Sequence, residues 1–222
     1  MNAGFFKRAF ASFIDIILLL AVVSVTFILF GRSVLQKQID HFDEIYSAYQ
    51  EIVAAYNADI TAASDAYDAQ IEIADGDSDL EAEALAVYQQ RVEIINNQNL
   101  MDIEPYNRPL TRYYLNTIYF YSIGFLLLLS IYTIATNGKT FGRKLFKVAL
   151  EGSVNPVTVF LHDVVFKYFF VLLALIVNVY MGLLVLATFL VVDIILIGVS
   201  KKKRTVRDLV LGITVANSNY WK

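Results

Sequence analysis

A chain of 222 residues with 57% hydrophobic side chains, only 18% charged residues and a positive mean hydropathy has the composition of a membrane protein, not of a water-soluble one. It has no cysteine, which excludes a disulfide framework, a thiol nucleophile and a thiolate metal site. The net charge of −3 conceals a sorting: 16 of the 21 acidic residues and five basic ones fall between Arg32 and Arg112, whereas the N-terminus and segments 137–150 and 201–207 are basic.

A bilayer-crossing helix needs about 20 apolar residues. Residues 9–30 supply the first span, interrupted by Ser12, Asp15, Ser24 and Thr26. The run is too long for a signal-peptide core and no small-residue cleavage site follows it, so an uncleaved span is expected. Arg8, Ser12 and Asp15 stand at i, i+4 and i+7 and share one helix face. An ionised carboxylate at mid-bilayer costs about 2.5–3.5 kcal/mol, so that face must turn toward protein, water or a substrate path. Asp15 lies about 10 Å below Arg8 along the helix, nearer the membrane face than the midplane.

Residues 33–112 read as a helical hairpin. Ile45, Tyr49, Ile52 and Tyr56, then Leu80, Ala84, Tyr88 and Val92, recur at helical spacing on either side of the turn ADGDSDLEAE. Gly76 ends the first helix, and Ser78 with Glu81 has capping-box spacing for the second. An unbroken helix over 34–73 would run roughly 60 Å, longer than the expected return arm, which predicts a bent or frayed first arm. The alternate acids from Asp75 to Glu83 lack the glycine placement and the spaced glutamate of a calcium loop and read as a solvated turn.

Residues 114–135 form the second span, with Tyr113, Tyr114, Tyr119 and Tyr121 at its start as an interfacial belt. About 40 further apolar residues, 159–199, break at NVYMG (178–182) into a third and a fourth span, with Asn178 as a loop residue. Asp193, in VLATFLVVDIILIG, is the second intramembrane carboxylate, at a depth similar to that of Asp15; together they could bind a cation or share a proton, or each could be a structural anchor with its own arginine or lysine partner. All basic segments fall on one side only if there are four spans. The expectation is an all-α membrane protein: four transmembrane helices, both termini cytoplasmic, and an extracytoplasmic acidic hairpin between spans 1 and 2. The domains are then 1–32, 33–112 and 113–222.

Three polar pieces remain. NGKTFGRKLFKVAL (137–150) contains GKT but is no phosphate loop, since Thr133 stands where the first glycine is required and a membrane helix precedes it. KVALEG and GITVAN alternate in polarity and predict a two-stranded sheet. KKKRTVRDLVLGITVA sets a basic cluster against Asp208, the expected partner of Arg8. Asp163 and Lys167 read as an i, i+4 pair beside His162 at a helix start, and His41 as solvated. No serine has a base and an orienting acid, and no His–Glu pair has metal spacing, so neither an enzyme nor a metal or cofactor site is expected. Nucleic acid is not an expected partner.

An Arg followed seven residues later by Asp in the first span, the turn Gly138-Lys-Thr140-x-Gly142-Arg-Lys after the second, and R-x-x-x-D-x-x-x-G near the end resemble the RDD family of small bacterial membrane proteins. The resemblance identifies Arg8, Asp15 and Asp208 as the arginine and two aspartates, and Gly138, Thr140 and Gly142 as the loop motif. It covers residues 4–30 and 113–216 and leaves the hairpin unmatched; Arg207 stands where many members have histidine. It implies a bacterial plasma membrane location and two activities: transport, including cation/proton antiport, or regulation of membrane enzymes.

Two function classes follow. One is an ion or solute transporter or cation/proton exchanger in which Asp15, with Asp193 or Asp208 and with Ser12 on its face, carries the coupling ion. Four spans make a small bundle, so this class calls for a homo-oligomer. The other is a non-transporting adaptor in the bilayer whose hairpin captures a protein partner, since an insertion of about 80 residues is surplus to ion movement.

Overall fold

Among the described residues, four helical stretches are long and apolar enough to cross a membrane: Phe5–Gln36, Ser78–Ala135, Pro156–Val177 and Tyr180–Val199. A computed structural model describes residues 3–199 and 203–218, without the side chain of Val179. Ser200, and Lys201 and Lys202 of the basic tail, lie outside the described residues. The chain divides into two units, Met1–Arg32 with Thr117–Lys222, and Ser33–Asn116.

In the first unit α1 (Phe5–Thr26) runs into a π-helical turn (Phe27–Gly31); the short α2 (Arg32–Gln36) lies, but for Arg32, in the second. The buried positions of α1, Ala11, Asp15, Leu19 and Val23, recur every four residues, one stripe on an otherwise exposed apolar helix. Leu19 and Val23 pack with Phe125 and Leu129 of α4 (Ser78–Ala135) and with Val164 to form the core. After α4 come α5 (Phe141–Leu145) and β1 (Val148–Gly152). The third span opens with α6 (Pro156–Phe160), started by Pro156 and by a capping box between Asn155 and Thr158. It then passes through nine π-helical residues, Leu161–Phe169, into α7 (Phe170–Val177).

The fourth span, α8 (Val179–Val199), follows after the single extended residue Asn178, at φ −160 and ψ 129. Asn178 is more than a loop residue: its Oδ1 accepts from the backbone N–H groups of Tyr180 and Met181 and so caps α8. The reversal is this tight because residue 182 is glycine; a Cβ there would lie 2.3 Å from Leu175.

The chain ends in α9 (Val206–Val210) and β2 (Ile213–Asn217). The expected sheet is present: β1 and β2 pair antiparallel from Val148↔Asn217 to Gly152↔Ile213. Val148 and Val215 pack with Ala3, whose N–H donates to the Val215 carbonyl. That support answers the marginal stability of an isolated strand pair. Among the described residues the fold is thus mostly helical with one small sheet.

In the second unit, α3 (Phe42–Ala74) follows a break at residues 37–41, where His41 adopts φ 56. The first arm is therefore interrupted, at its start, as expected. Tyr67 meets Tyr88, Tyr56 donates to Asn96 at 2.9 Å and Phe42 meets Tyr113, so advancing along α3 retreats along α4 and the two run antiparallel. Two expectations are corrected. The return arm is not shorter, because α4 continues through Pro105 and Pro109. Val92, Ile95, Asn99, Ile103, Tyr106 and Leu110 keep a helical stripe out of solvent across both prolines, and that packing outweighs the roughly 3 kcal/mol an interior proline costs. The cap of α4 is Asp77 instead of Ser78: its carboxylate accepts from the N–H groups of Asp79 and Leu80.

Candidate functional site

α1, α5, the π-helical segment and α9 bring their charged residues together. Arg8 Nη1 donates to Asp208 Oδ2 at 2.6 Å, the approach expected from sequence, and both groups are buried, at 9% and 0% exposure. The rest of the guanidinium is also used: Nε donates to the Ala3 carbonyl, and Nη2 to those of Lys203 and Val215. One side chain thereby ties α1 to the segments on both sides of α9.

Asp208 is the third residue of α9, in a capping box with Thr205. Its Oδ2 also accepts from the Thr205 N–H at 3.0 Å, and its Oδ1 faces His162 Nε2 at 2.8 Å. Burial opposes the charge, but the hydrogen bonds from His162 and Thr205 and the charge of Arg8 hold the carboxyl well below the ordinary carboxylate range. His162 Nδ1 faces Asp163 Oδ1 at 2.7 Å. The imidazole therefore stands between two carboxylates; when both are ionised, both ring nitrogens act as donors.

Arg143 completes the chain with a two-pronged contact, Nη1 to Asp163 Oδ2 at 2.8 Å and Nη2 to Oδ1 at 2.6 Å, and Nη1 also donates to the Gly138 carbonyl. Burial would discharge Arg143, but Asp163, through its charge and these bonds, keeps the guanidinium above its ordinary range. The order Arg143, Asp163, His162, Asp208, Arg8 alternates in charge when the histidine is protonated.

Asp15 belongs to a second cluster. Its Oδ1 accepts from the Gly142 N–H at 2.8 Å and the Tyr132 hydroxyl at 3.1 Å, and its Oδ2 from the Thr140 hydroxyl at 2.6 Å. Thr140 also caps α5, so the loop motif is built around this carboxylate. Glycine at 142 is a matter of space: a Cβ would lie 2.0 Å from the Ala11 carbonyl oxygen of α1.

A family model described as the RDD family matches residues 2–212. The chain belongs to the RDD family. The match runs through the hairpin, which the motifs alone had left unmatched. No curated protein and no solved structure matches the chain.

Arg8, Asp15 and Asp208, which the resemblance pairs with the RDD arginine and aspartates, do not form one site. Arg8 and Asp208 share the ion chain, while Asp15 anchors the loop motif. Asp193 faces Arg207 at 3.5 Å and lines a different cavity from Asp15. Ser12 shares the Asp15 face of α1 but accepts from Lys167. That contact replaces the expected Asp163–Lys167 pair, because in the wider π-helical turn Asp163 is taken by Arg143 and His162.

Sequence reasoning gave no role to Arg143 or Tyr132, and weighed for His162 only an interfacial helix start against proton transfer. The available signals were the position of Arg143 inside the quoted loop motif and the His162–Asp163 pair at the head of an apolar span.

Proposed function

We propose that this RDD protein is a non-enzymatic membrane adaptor, in which the polar groups of the spans lock the bundle and the helical hairpin meets a partner protein. The observation that carries this reading is the environment of Asp15, whose oxygens accept from three fixed donors that a coupling ion or proton would have to displace. Asp163 is likewise held, by a two-pronged contact from Arg143, whereas Asp193 has a longer contact, 3.5 Å from Arg207. The hairpin supports the reading from its own side: an insertion of about 80 residues is surplus to ion movement, and it exposes Ile73, Ile94, Leu100 and Met101 at 61–79%. Both termini are cytoplasmic and the hairpin is outside the bacterial plasma membrane in this reading, which rests on the sorting of basic residues.

Cation/proton exchange, by a homo-oligomer, is the second reading. His162, held between two carboxylates and lining a cavity of about 330 Å³, favours it. Proteoliposomes under an imposed proton gradient separate the two. The adaptor reading expects no cation flux from the wild type, together with a lower melting temperature in detergent for Asp15→Asn. Cation flux that Asp15→Asn abolishes, with stability unchanged, would establish exchange instead.

A further inference from the structure

We propose that the cavity bounded by α1, the π-helical segment, α8 and α9 binds a phospholipid of net negative charge, with Arg207 and Lys167 holding its phosphate. The cavity measures about 330 Å³, within the range of small-molecule sites. Its walls are of two kinds. Phe13 of α1 and Leu186, Phe189 and Leu190 of α8 make an apolar wall; each is at least 39% exposed, and all lie on stretches apolar enough to cross a membrane. Side chains so placed meet acyl chains, and a soluble anion has no use for them.

The opposite wall carries charge. Arg8 and Arg143 reach the cavity, but Asp208 and Asp163 already occupy them. Arg207 and Lys167 differ. Arg207 Nε is buried with no hydrogen-bond partner, and Nη1 stands 3.5 Å from Asp193 Oδ2, longer than a good charge-assisted hydrogen bond. Lys167 donates to the neutral Ser12 hydroxyl and lies 4.9 Å from the Tyr168 ring centroid, which leaves its ammonium with donors to spare. Arg207 is thus left with one long ion pair, and a phosphate oxygen at the part of its guanidinium that lines the cavity supplies the charge-assisted hydrogen bond that Asp193 at 3.5 Å does not. Asp193 lines the same cavity and competes for Arg207, which makes a monoanionic phosphodiester a better fit than a more highly charged group.

The test is native mass spectrometry of the purified full-length protein supplied with equal amounts of phosphatidylglycerol and phosphatidylcholine. Phosphatidylglycerol should be retained about tenfold over phosphatidylcholine, and Arg207→Gln and Lys167→Gln should each lose about tenfold in retention, the loss of one charge-assisted contact. Asp193→Asn removes the competing carboxylate and should retain more phosphatidylglycerol than the wild type, a gain that misfolding cannot imitate. Equal retention of the two lipids, wild-type retention by both cation variants, or a loss in Asp193→Asn would overturn the proposal. Displacement of the lipid by inorganic phosphate would also overturn it, by reassigning the site to a free anion.

Discussion

Asp208 accepts from Arg8, His162 and the Thr205 backbone while fully buried, and this fixes the sign of its pH effect. A carboxyl held below its ordinary range contributes stability that is fully present above the unfolded carboxylate value and is lost as the pH falls through the folded one. Wild-type melting temperature in detergent should therefore hold from neutral pH to about pH 4 and drop below it. Asp208→Asn should start lower, by about 3–5 kcal/mol for a broken buried ion pair, and show a shallower acid limb. An equally steep limb in the variant would assign the acid sensitivity to other groups. Space makes a second residue-level test. Gly142→Ala drives a methyl into the Ala11 carbonyl and should destabilise the protein by 1–3 kcal/mol or more, whereas Gly198→Ala, with nothing within 4 Å, should be neutral or slightly stabilising. At this scale the sequence revealed Arg8 and Asp208, because a lone arginine and a lone aspartate at apolar helix ends need partners. It concealed the Arg143–Asp163–His162 chain, because an i, i+4 reading assumes α-helical turns and residues 161–169 are π-helical.

Helix ends were legible wherever a side chain marks them, and less so where packing decides. Asn178 ends one span and caps the next, in the NVYMG break that the sequence already marks. Asn178→Ala should cost about 1 kcal/mol, read as a small fall in melting temperature, whereas Gly182→Leu should be far worse because Leu175 already fills that space. The course of α4 through Pro105 and Pro109 was not legible, since local propensity argues for a break and only the stripe from Val92 to Leu110 argues against it. That conflict gives an expected gain. Pro105→Ala restores a backbone donor within a helix and should raise the melting temperature, by up to about 3 kcal/mol of stability. A fall instead would mean that proline at 105 shapes the helix for a purpose that packing does not explain.

Across the whole molecule, charge sorting is the feature that neither packing nor the sheet requires. Nothing in the ion chain or the core depends on 16 acidic residues lying between Arg32 and Arg112, while the basic residues of the N-terminus, 137–150 and 201–207 that flank the spans carry the topology signal. Composition was legible at this scale for the same reason: apolar runs and basic flanks are properties of the string, whereas the cavity and the ion chain join residues up to 200 positions apart, as Arg8 and Asp208 are. The absence of native cysteine makes the topology directly testable by single substitutions at exposed sites. Asp59 lies on the hairpin and Lys139 in the loop after the second span, and both are exposed. In intact cells a membrane-impermeant maleimide should label Asp59→Cys and spare Lys139→Cys, and permeabilising the inner membrane should expose the second without changing the first. Labelling of Lys139→Cys in intact cells would reverse the orientation and place the Arg8–Asp208 end of the bundle, through its short connection to the same loop, on the outer face.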